Sequence, residues 1–253
     1  MQHSSFEYKK WNHSDNIEMF SSVNETDYFP FHFHDYYCIS LITGGTEQLD
    51  TPDENFYALT GSVSVTQANE VHKNRAIDSS GYSYKTLYVN PDLLKFYGTG
   101  KKPERLERVI NDGILAGELS NLFGGKSTLA NFQTVLKRLT RYATSEKPVV
   151  ENRFELLDEL CATFPYQSVS LDWLSKQFCM SKFHFVRVFK AAKGISPQAY
   201  MMLKRLKIAK EMLLNNQDPR HVAFMTGFYD AAHLNTAFKR FFGITLSMIK
   251  KSS

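Results

Sequence analysis

The stretch SKFHFVRVFKAAKGI, from Ser181 to Ile195, decides how the second half of this chain folds. It opens on serine, a favoured helix N-cap, contains no proline, and meets Gly194 where a helix would end. At about 100° per residue its side chains fall into two stripes. The stripe expected to face inward consists of Phe185, Val188, Phe189 and Ala192. The opposite stripe, half apolar and half cationic, consists of Phe183, Val186, Arg187 and Lys190.

The same helix occurs again 49 residues later as DAAHLNTAFKRFFGI, from Asp230 to Ile244. Five of the fifteen aligned positions are identical, and the apolar stripe is kept in phase. The identical pairs are His184 and His233, Phe189 and Phe238, Lys190 and Lys239, Gly194 and Gly243, and Ile195 and Ile244. An internal duplication therefore favours a shared function for the two outer stripes.

A short helix is predicted before each copy, over 171–178 and from Pro219 to Gly227, and each is followed by a tight turn. Short helix, turn and second helix form the helix-turn-helix pattern, here over 171–194 and 219–243. Between the copies, Ser196 and Pro197 open one long helix that reaches about Asn215. This connector is expected to hold the two motifs rigidly.

The outer stripes suit the major groove of DNA, where apolar groups contact the thymine methyl and Arg187 has the geometry to pair with guanine. Lys190 is placed for a phosphate or a base acceptor, and Asn235 for adenine. The predicted DNA-binding residues are Phe183, Val186, Arg187, Lys190, Ala231, Ala232, Asn235, Thr236 and Lys239. The alternative is that Phe183 and Val186 pack against other parts of the protein, and the duplication argues against it.

Charge supports a polyanion partner. Residues 168–253 hold 14 lysines and arginines against four acidic residues, whereas residues 1–167 hold 16 against 22. So strong an excess in a compact block is typical of a nucleic-acid binder, although a solvated basic face stays open on charge alone. A third hypothesis is that the helical block mediates only protein contacts. No signal peptide or membrane span is evident, so a cytoplasmic protein with no membrane partner is expected. The three cysteines form no CxxC pair, and we expect them to be buried.

The first part of the chain reads as short strands from about Pro30 to Val89, which suggests a β-sandwich or small barrel. Helical periodicity follows over 103–142, where two helices would offer a dimer surface. A hinge is predicted over 144–149 and one more helix over 152–163. A small barrel commonly binds a ligand at its mouth. The rings that would line it are some of Phe31, Phe33, Tyr36, Tyr57, Tyr82 and Tyr84.

Residues 168–253 resemble the paired helix-turn-helix domain of the AraC family of bacterial transcription regulators. The likeness rests on SKFHFVRVFKAAKGISPQAY, LKRLKIAKEMLL and TGFYDAAHLNTAFKRFFGIT. It implies binding to double-stranded DNA, contact with RNA polymerase, and a homodimer. Leu246 stands where the family usually has proline, and Ile249 with Lys250 where it has tyrosine and arginine.

The front part resembles, more loosely, the cupin-like effector and dimerisation domain of such regulators, through FPFHFHDYYCISLITGG and GSVSVTQANEVH. His32, His34 and His72 occupy three of the four ligand places of cupin metalloenzymes, but Cys38 or Ile39 fills the glutamate place. We therefore predict no metal, cofactor or catalytic residue. The predicted effector-binding residues are His32, His34, Tyr36, His72 and Tyr84.

The prediction is an α+β chain with a cupin-like β-barrel over 1–100, a helical dimerisation or connector region over 101–150, and a double helix-turn-helix domain over 151–253. Its predicted function is sequence-specific transcription regulation under the control of a small-molecule effector, without enzyme activity. The alternative is a cupin-type metalloenzyme, an isomerase or dioxygenase, with a helical extension; stoichiometric metal would favour it.

Overall fold

A computed structural model describes residues 5–11, 14–97, 105–125, 128–144, 154, 157–159 and 169–251. The chain divides into two compact units. The first comprises 1–28 and 33–149, and the second comprises 29–32 and 150–253. The described residues of the predicted connector region 101–150 lie in the first unit. Residues 145–149 of the hinge predicted over 144–149, and most of the predicted helix over 152–163, lie outside the described residues.

Antiparallel strands build the first unit. They are β1 Ser5–Trp11, β2 Ser14–Glu25, β3 Tyr37–Gly44, β4 Thr46–Asp50, β5 Asn55–Leu59, β6 Val63–Thr66, β7 Lys73–Ala76, β8 Tyr82–Val89, β9 Arg105–Leu106, β10 Val109–Ile110 and β11 Ala143–Thr144. A six-stranded sheet has the order β1-β2-β8-β3-β6-β10, a second sheet has the order β5-β4-β7, and β9 pairs with β11. The expected closed barrel is wrong, because the described strands form separate open sheets.

Three helices cover one face of the six-stranded sheet. They are α1 Pro91–Tyr97, α2 Gly113–Phe123 and α3 Leu129–Leu139, followed by a 3₁₀ turn, Thr140–Tyr142. Buried side chains of α2 and α3 form one hydrophobic core with alternate residues of β3, β6 and β8. Helix was expected from about residue 103, but Leu106 and Ile110 lie in strands, because pairing with β11 and β6 decides their conformation.

Helices make up the described remainder of the second unit. They are α4 Leu171–Gln177, α5 Lys182–Lys193, α6 Pro197–Leu214, α7 Pro219–Met225, α8 Ala231–Phe242 and α9 Leu246–Lys251. The segment 29–32 packs with them: a Cβ atom at Gly243 would lie only 2.9 Å from Cε1 of Phe29. The α6 helix contacts α5, α7, α8 and α9, so it holds the unit together.

Candidate nucleic-acid interface and ligand site

The first helix-turn-helix motif is α4, a tight turn and α5. The turn reverses at Cys179, whose φ of 54° is left-handed, and the Met180 N–H donates to the Ser175 carbonyl at 2.9 Å. The Ser181 hydroxyl then accepts from the His184 N–H at 3.3 Å and caps α5, and Gly194 ends the helix at a φ of 73°. Cys179 is exposed rather than buried, because the turn places it at the surface; Cys161 lies outside the described residues.

The second motif, α7 to α8, repeats this geometry. Gly227 takes the left-handed place of Cys179, with a φ of 72°, and the Phe228 N–H donates to the Ala223 carbonyl at 2.8 Å. The Asp230 carboxylate caps α8 by accepting from the His233 N–H at 2.7 Å. The second turn is one residue longer than the first, and the additional residue, Tyr229, is 93% exposed.

The predicted inner stripe is buried throughout α8 and only in part in α5. Phe185 and Phe189 are buried, Val188 is half-buried and Ala192 is exposed. Ala192 lies in the last turn of α5, after the two buried phenylalanines, and its side chain is exposed. In α8 the whole stripe is buried: Leu234, Ala237, Phe238 and Phe241.

The outer stripe of α5 faces solvent within the second unit. Phe183 is 88% exposed, Arg187 and Lys190 are exposed, and Val186 is half-buried. Nη2 of Arg187 lies 3.2 Å from Nδ1 of His184, one helical turn away, which orients the guanidinium on the exposed side. The alternative explanation of this apolar residue was that Phe183 packs against other parts of the protein. The described residues of the second unit do not cover it.

The outer stripe of α8 is smaller and partly occupied by internal bonds. Ala232, Thr236 and Lys239 are exposed, whereas Ala231 and Asn235 are half-buried. Oδ1 of Asn235 accepts from the Leu246 backbone N–H at 2.9 Å. A bidentate pair with adenine requires both Oδ1 and Nδ2 of Asn235 to face the base. The bond from Oδ1 to the Leu246 N–H therefore conflicts with the expected role of Asn235.

Two exposed aromatic residues of the second helix-turn-helix motif were not predicted from the sequence. Tyr229 occupies the longer turn before α8, and Phe224, on α7, is 77% exposed. The signal available for Tyr229 was the one-residue difference between the two turns. Phe224 carried no signal, because a phenylalanine on a short helix usually faces the core.

The predicted effector residues of the first unit come partly together. The rings of His34 and His72 meet edge to face with centroids 4.8 Å apart, and Sγ of Cys38 lies 3.1 Å from Nε2 of His34. Tyr36 is half-buried, and its carbonyl accepts a hydrogen bond from Nδ1 of His34 at 2.7 Å. Tyr84 is buried on β8. Tyr57, an expected lining ring, is 53% exposed and does not contribute.

His34 and His72 are the nitrogen ligands that this unit offers to a metal. Nδ1 of His72 donates to the Glu70 carbonyl at 2.9 Å, as Nδ1 of His34 does to the Tyr36 carbonyl, and Nε2 of His34 lies within hydrogen-bond distance of the Cys38 thiol. A potential ligand atom of each ring lies within 4.8 Å of the other. His32, the third histidine of the predicted set, belongs to the segment 29–32 of the second unit, where its Nδ1 donates to the Pro30 carbonyl at 2.9 Å.

Three cationic residues of the first unit contact other groups. Nζ of Lys73 lies 3.1 Å from the Asp50 carboxylate and Nε of Arg75 lies 3.6 Å from it. Nζ of Lys85 lies 6.0 Å from the centre of the Phe123 ring, on the helix-covered side of the sheet. None of the three supplies an anion site in the first unit.

An antiparallel-sheet domain followed by two capped helix-turn-helix motifs with cationic outer stripes defines a DNA-binding regulator with a separate ligand-binding domain. Comparison with known families agrees: an AraC-like ligand binding domain matches residues 16–137, and a helix-turn-helix domain matches residues 174–252. The chain belongs to the AraC family of transcription regulators.

Individual relatives are similar along most of the chain. The HTH-type transcriptional regulator YbfI of Bacillus subtilis is 29% identical over 223 residues, which is 81% of each chain. The HTH-type transcriptional activator RhaS of Escherichia fergusonii is 26% identical over 239 residues, 85% of each. ToxT of Vibrio cholerae shares the fold with a TM-score of 0.56 at 12% identity, over 97% of this chain and 98% of that one. Within the described ranges, no helix has both the length and the apolar character to cross a lipid bilayer.

Proposed function

We propose that each copy of the chain reads a non-palindromic DNA site through α5 and α8, which enter successive major-groove segments on one face of the duplex. The observation that carries the proposal is the connector. The α6 helix has 18 residues and contacts both motifs, so a rod about 27 Å long holds the two reading helices in one unit. Adjacent major-groove segments on one face repeat about every 34 Å, which suits a pair of helices held in this way.

The two reading helices contribute unequally in this proposal. In α5, Phe183 and Val186 contact thymine methyls and Arg187 pairs with guanine, whereas Lys190 binds phosphate. In α8, Ala231, Ala232 and Thr236 approach the bases closely, and Lys239 binds phosphate. Because the Asn235 oxygen already accepts from Leu246, α5 discriminates sequence more strongly than α8.

The first unit is the effector domain in this proposal. A small molecule binds near His34, His72, Tyr36 and Tyr84, and it must favour one state of the regulator over another. A ToxT structure of the same fold is described with an unsaturated fatty acid bound. Two chains associate through the helices of the first unit, where Ile114 and Leu129 expose apolar side chains. The regulator acts in the cytoplasm by recruiting RNA polymerase, and no metal, cofactor or catalysis is required.

Replacement of Arg187 by alanine tests direct readout. The variant should lose about 1–3 kcal/mol of binding free energy on the cognate site and accept other bases at one position. Lys190→Ala, on the same exposed stripe, is the matched control: it should weaken all sequences similarly and reduce the salt dependence by about one released counterion. The cognate site comes from selection of bound sequences from a random duplex pool, followed by titration at several salt concentrations.

Two outcomes would contradict the proposal. If Arg187→Ala and Lys190→Ala act alike on cognate and random DNA, α5 does not read bases directly. If the wild-type protein selects no sequence and shows no salt-dependent binding, the second unit is a protein-contact module instead.

A further inference from the structure

The two faces of the six-stranded sheet differ in chemistry, although both are buried. Side chains alternate along a strand, so the residues between those that pack on the helices point to the opposite face. The helix side carries Ile39, Leu41, Val63, Val65, Leu87 and Val89. The opposite side, called the inner face here, carries the buried polar residues Glu18, Ser22, Ser40, Ser64, Tyr84 and Thr86 together with buried Phe20, Cys38 and Ile42.

Burying the polar groups of the inner face is costly unless they are compensated. Part of the compensation is internal: the hydroxyls of Ser40 and Thr86 lie 2.7 Å apart. Hydroxyls, carboxylates and tyrosines gathered on one buried face are the groups that orient a polar ligand. The inner face is thus the part of the first unit whose composition calls for a partner other than protein.

Two stacked rings and two carboxylates form the centre of this region. Tyr82 and Tyr84, neighbours on one side of β8, stack with centroids 4.9 Å apart and planes inclined by 18°. Glu25, at the end of β2, and Glu47, on β4 of the three-stranded sheet, are 0% and 2% exposed. Burial raises the pKa of Tyr84 well above its ordinary value, and the charges of Glu25 and Glu47 raise it further. Glu25 pairs with Tyr82 in the register of β2 and β8. Gly45, two residues before Glu47, lies so close to Tyr82 that a Cβ atom there would be 3.0 Å from its Cα.

The carboxylate of Glu47 has an unused acceptor. Nδ2 of Asn74 donates to its Oε1 at 2.7 Å, and a hydrogen bond from the Ser64 side chain also lowers the pKa of Glu47, but its buried Oε2 has no partner of normal hydrogen-bond geometry among the described residues. Glu25 is better compensated, since it accepts from the Ser22 hydroxyl at 3.1 Å and from the Asp27 N–H at 2.8 Å. Burial raises the pKa of both glutamates.

No protein cation balances these two charges within the described ranges. The ion pairs there involve other acids, and Lys73 and Arg75 both pair with Asp50. Burial favours the neutral form of both glutamates, and a positive ligand beside them lowers the pKa again and restores the charged carboxylates, whereas a negative ligand does not. The ring faces of stacked tyrosines favour the same sign of charge.

We propose that Glu25, Glu47, Tyr82 and Tyr84 form the recognition site for a small organic cation, whose ammonium group donates to Oε2 of Glu47. The proposal rests on the assignment of the first unit as effector domain and names the chemical class of its ligand. A charge-assisted hydrogen bond to a buried carboxylate is stronger than a neutral one, so the ammonium provides most of the selectivity. A fatty acid, as described for ToxT, would place a third negative charge at this site.

Titration of the full-length protein with matched probes tests the ligand class. Phenethylamine and putrescine supply ammonium groups, 2-phenylethanol is the neutral counterpart of the first, and 3-phenylpropionate is the anionic one. At least one amine should bind by calorimetry and raise the Tm, whereas the alcohol and the carboxylate should not. Binding of the alcohol or the carboxylate with equal affinity, or of no amine, overturns the proposal.

Substitutions at the two glutamates test the site itself. Glu47→Gln should weaken amine binding by at least about tenfold. It should also leave the Tm of the ligand-free protein unchanged or higher, since glutamine has nearly the same shape and carries no ionisable group whose charged form is penalised by burial. Glu54→Gln, which removes the same charge from an exposed position, should change neither property. Loss of ligand-free stability with unchanged amine affinity would make Glu47 a structural residue and overturn the assignment.

The same experiments separate this proposal from the wider one. A neutral or anionic molecule that shifts the Tm and alters DNA affinity would leave the effector domain in place and remove only the cation class. A protein that selects no DNA sequence would instead refute the proposed DNA reading while the amine titration still stood.

Discussion

Replacement of Phe189 by alanine should destabilise the second unit by about 3–5 kcal/mol and abolish DNA binding with it. Phe189 is fully buried and occupies the middle of an aromatic cluster. Its ring centroid lies 4.8 Å from that of Phe154, 5.8 Å from that of Phe185 and 5.4 Å from that of Tyr200. These partners come from three different parts of the unit. Each is held by its own packing, so they cannot move together to fill the cavity that the substitution leaves. Urea unfolding followed by circular dichroism measures the loss.

Phe183→Ala is the matched control, because it makes the same change two turns earlier on the same helix. Phe183 is exposed, so its removal should alter the free energy of unfolding by no more than about 0.5 kcal/mol. Sequence discrimination on DNA should nevertheless fall if Phe183 contacts bases. Equal destabilisation by both variants would show that Phe183 is covered in solution, and the proposed reading surface would then be wrong.

The second unit was predictable from sequence because its signals are local. Serine and aspartate caps, proline at the first helical positions and glycine at the two C-caps each act within one turn of helix. Both copies carry these signals. The sequence therefore predicts the first helical residues, Lys182 and Ala231, and the C-caps, Gly194 and Gly243. One prediction was wrong for a local reason as well: Ala192, expected on the inner stripe, is exposed in the last turn of α5.

The first unit was only partly predictable, since its architecture depends on pairing between distant strands. The strands from β3 to β6 and β8 carry enough β-branched and aromatic residues to be recognised. The hairpin of β1 and β2 was missed because its inner face is polar: Glu18 and Ser22 are buried beside apolar neighbours, which hides the usual alternation. Whether sheets close into a barrel depends on register and shear, which no local pattern reports.

Site chemistry was predicted at the level of residue types and missed at the level of bonds. The exposure of Arg187 and Lys190 follows from periodicity. The bond from Leu246 to Asn235 does not, because it joins side chain and backbone across the turn after α8. For the same reason the unpartnered oxygen of Glu47 has no signature in the sequence, where the residue reads as one more acidic group on a short strand.

Buried His32 should make the protein less stable as the pH falls. Burial lowers the pKa of His32 to about 4, against the ordinary 6.5, even though its bond to the Pro30 carbonyl opposes the shift. Below pH 6.5 the unfolded chain takes up a proton at this position that the folded protein does not, so the stability is fully present above that value and is lost as the pH falls towards 4. Between pH 7 and pH 4 this difference amounts to about 3 kcal/mol.

Replacement of His32 by asparagine isolates this contribution, because the amide can still donate to the Pro30 carbonyl but does not titrate in this range. Urea unfolding at pH 7, 5.5 and 4 should show the wild-type protein losing about 3 kcal/mol more than His32→Asn over that interval. His221→Asn removes an exposed histidine of the same unit and should keep the wild-type slope. Parallel slopes for wild type and His32→Asn would mean that the imidazole takes up its proton in the folded state as well, and that His32 is in contact with water. A smaller slope in the variant would instead place His32 among the groups that set the acid limit of the regulator.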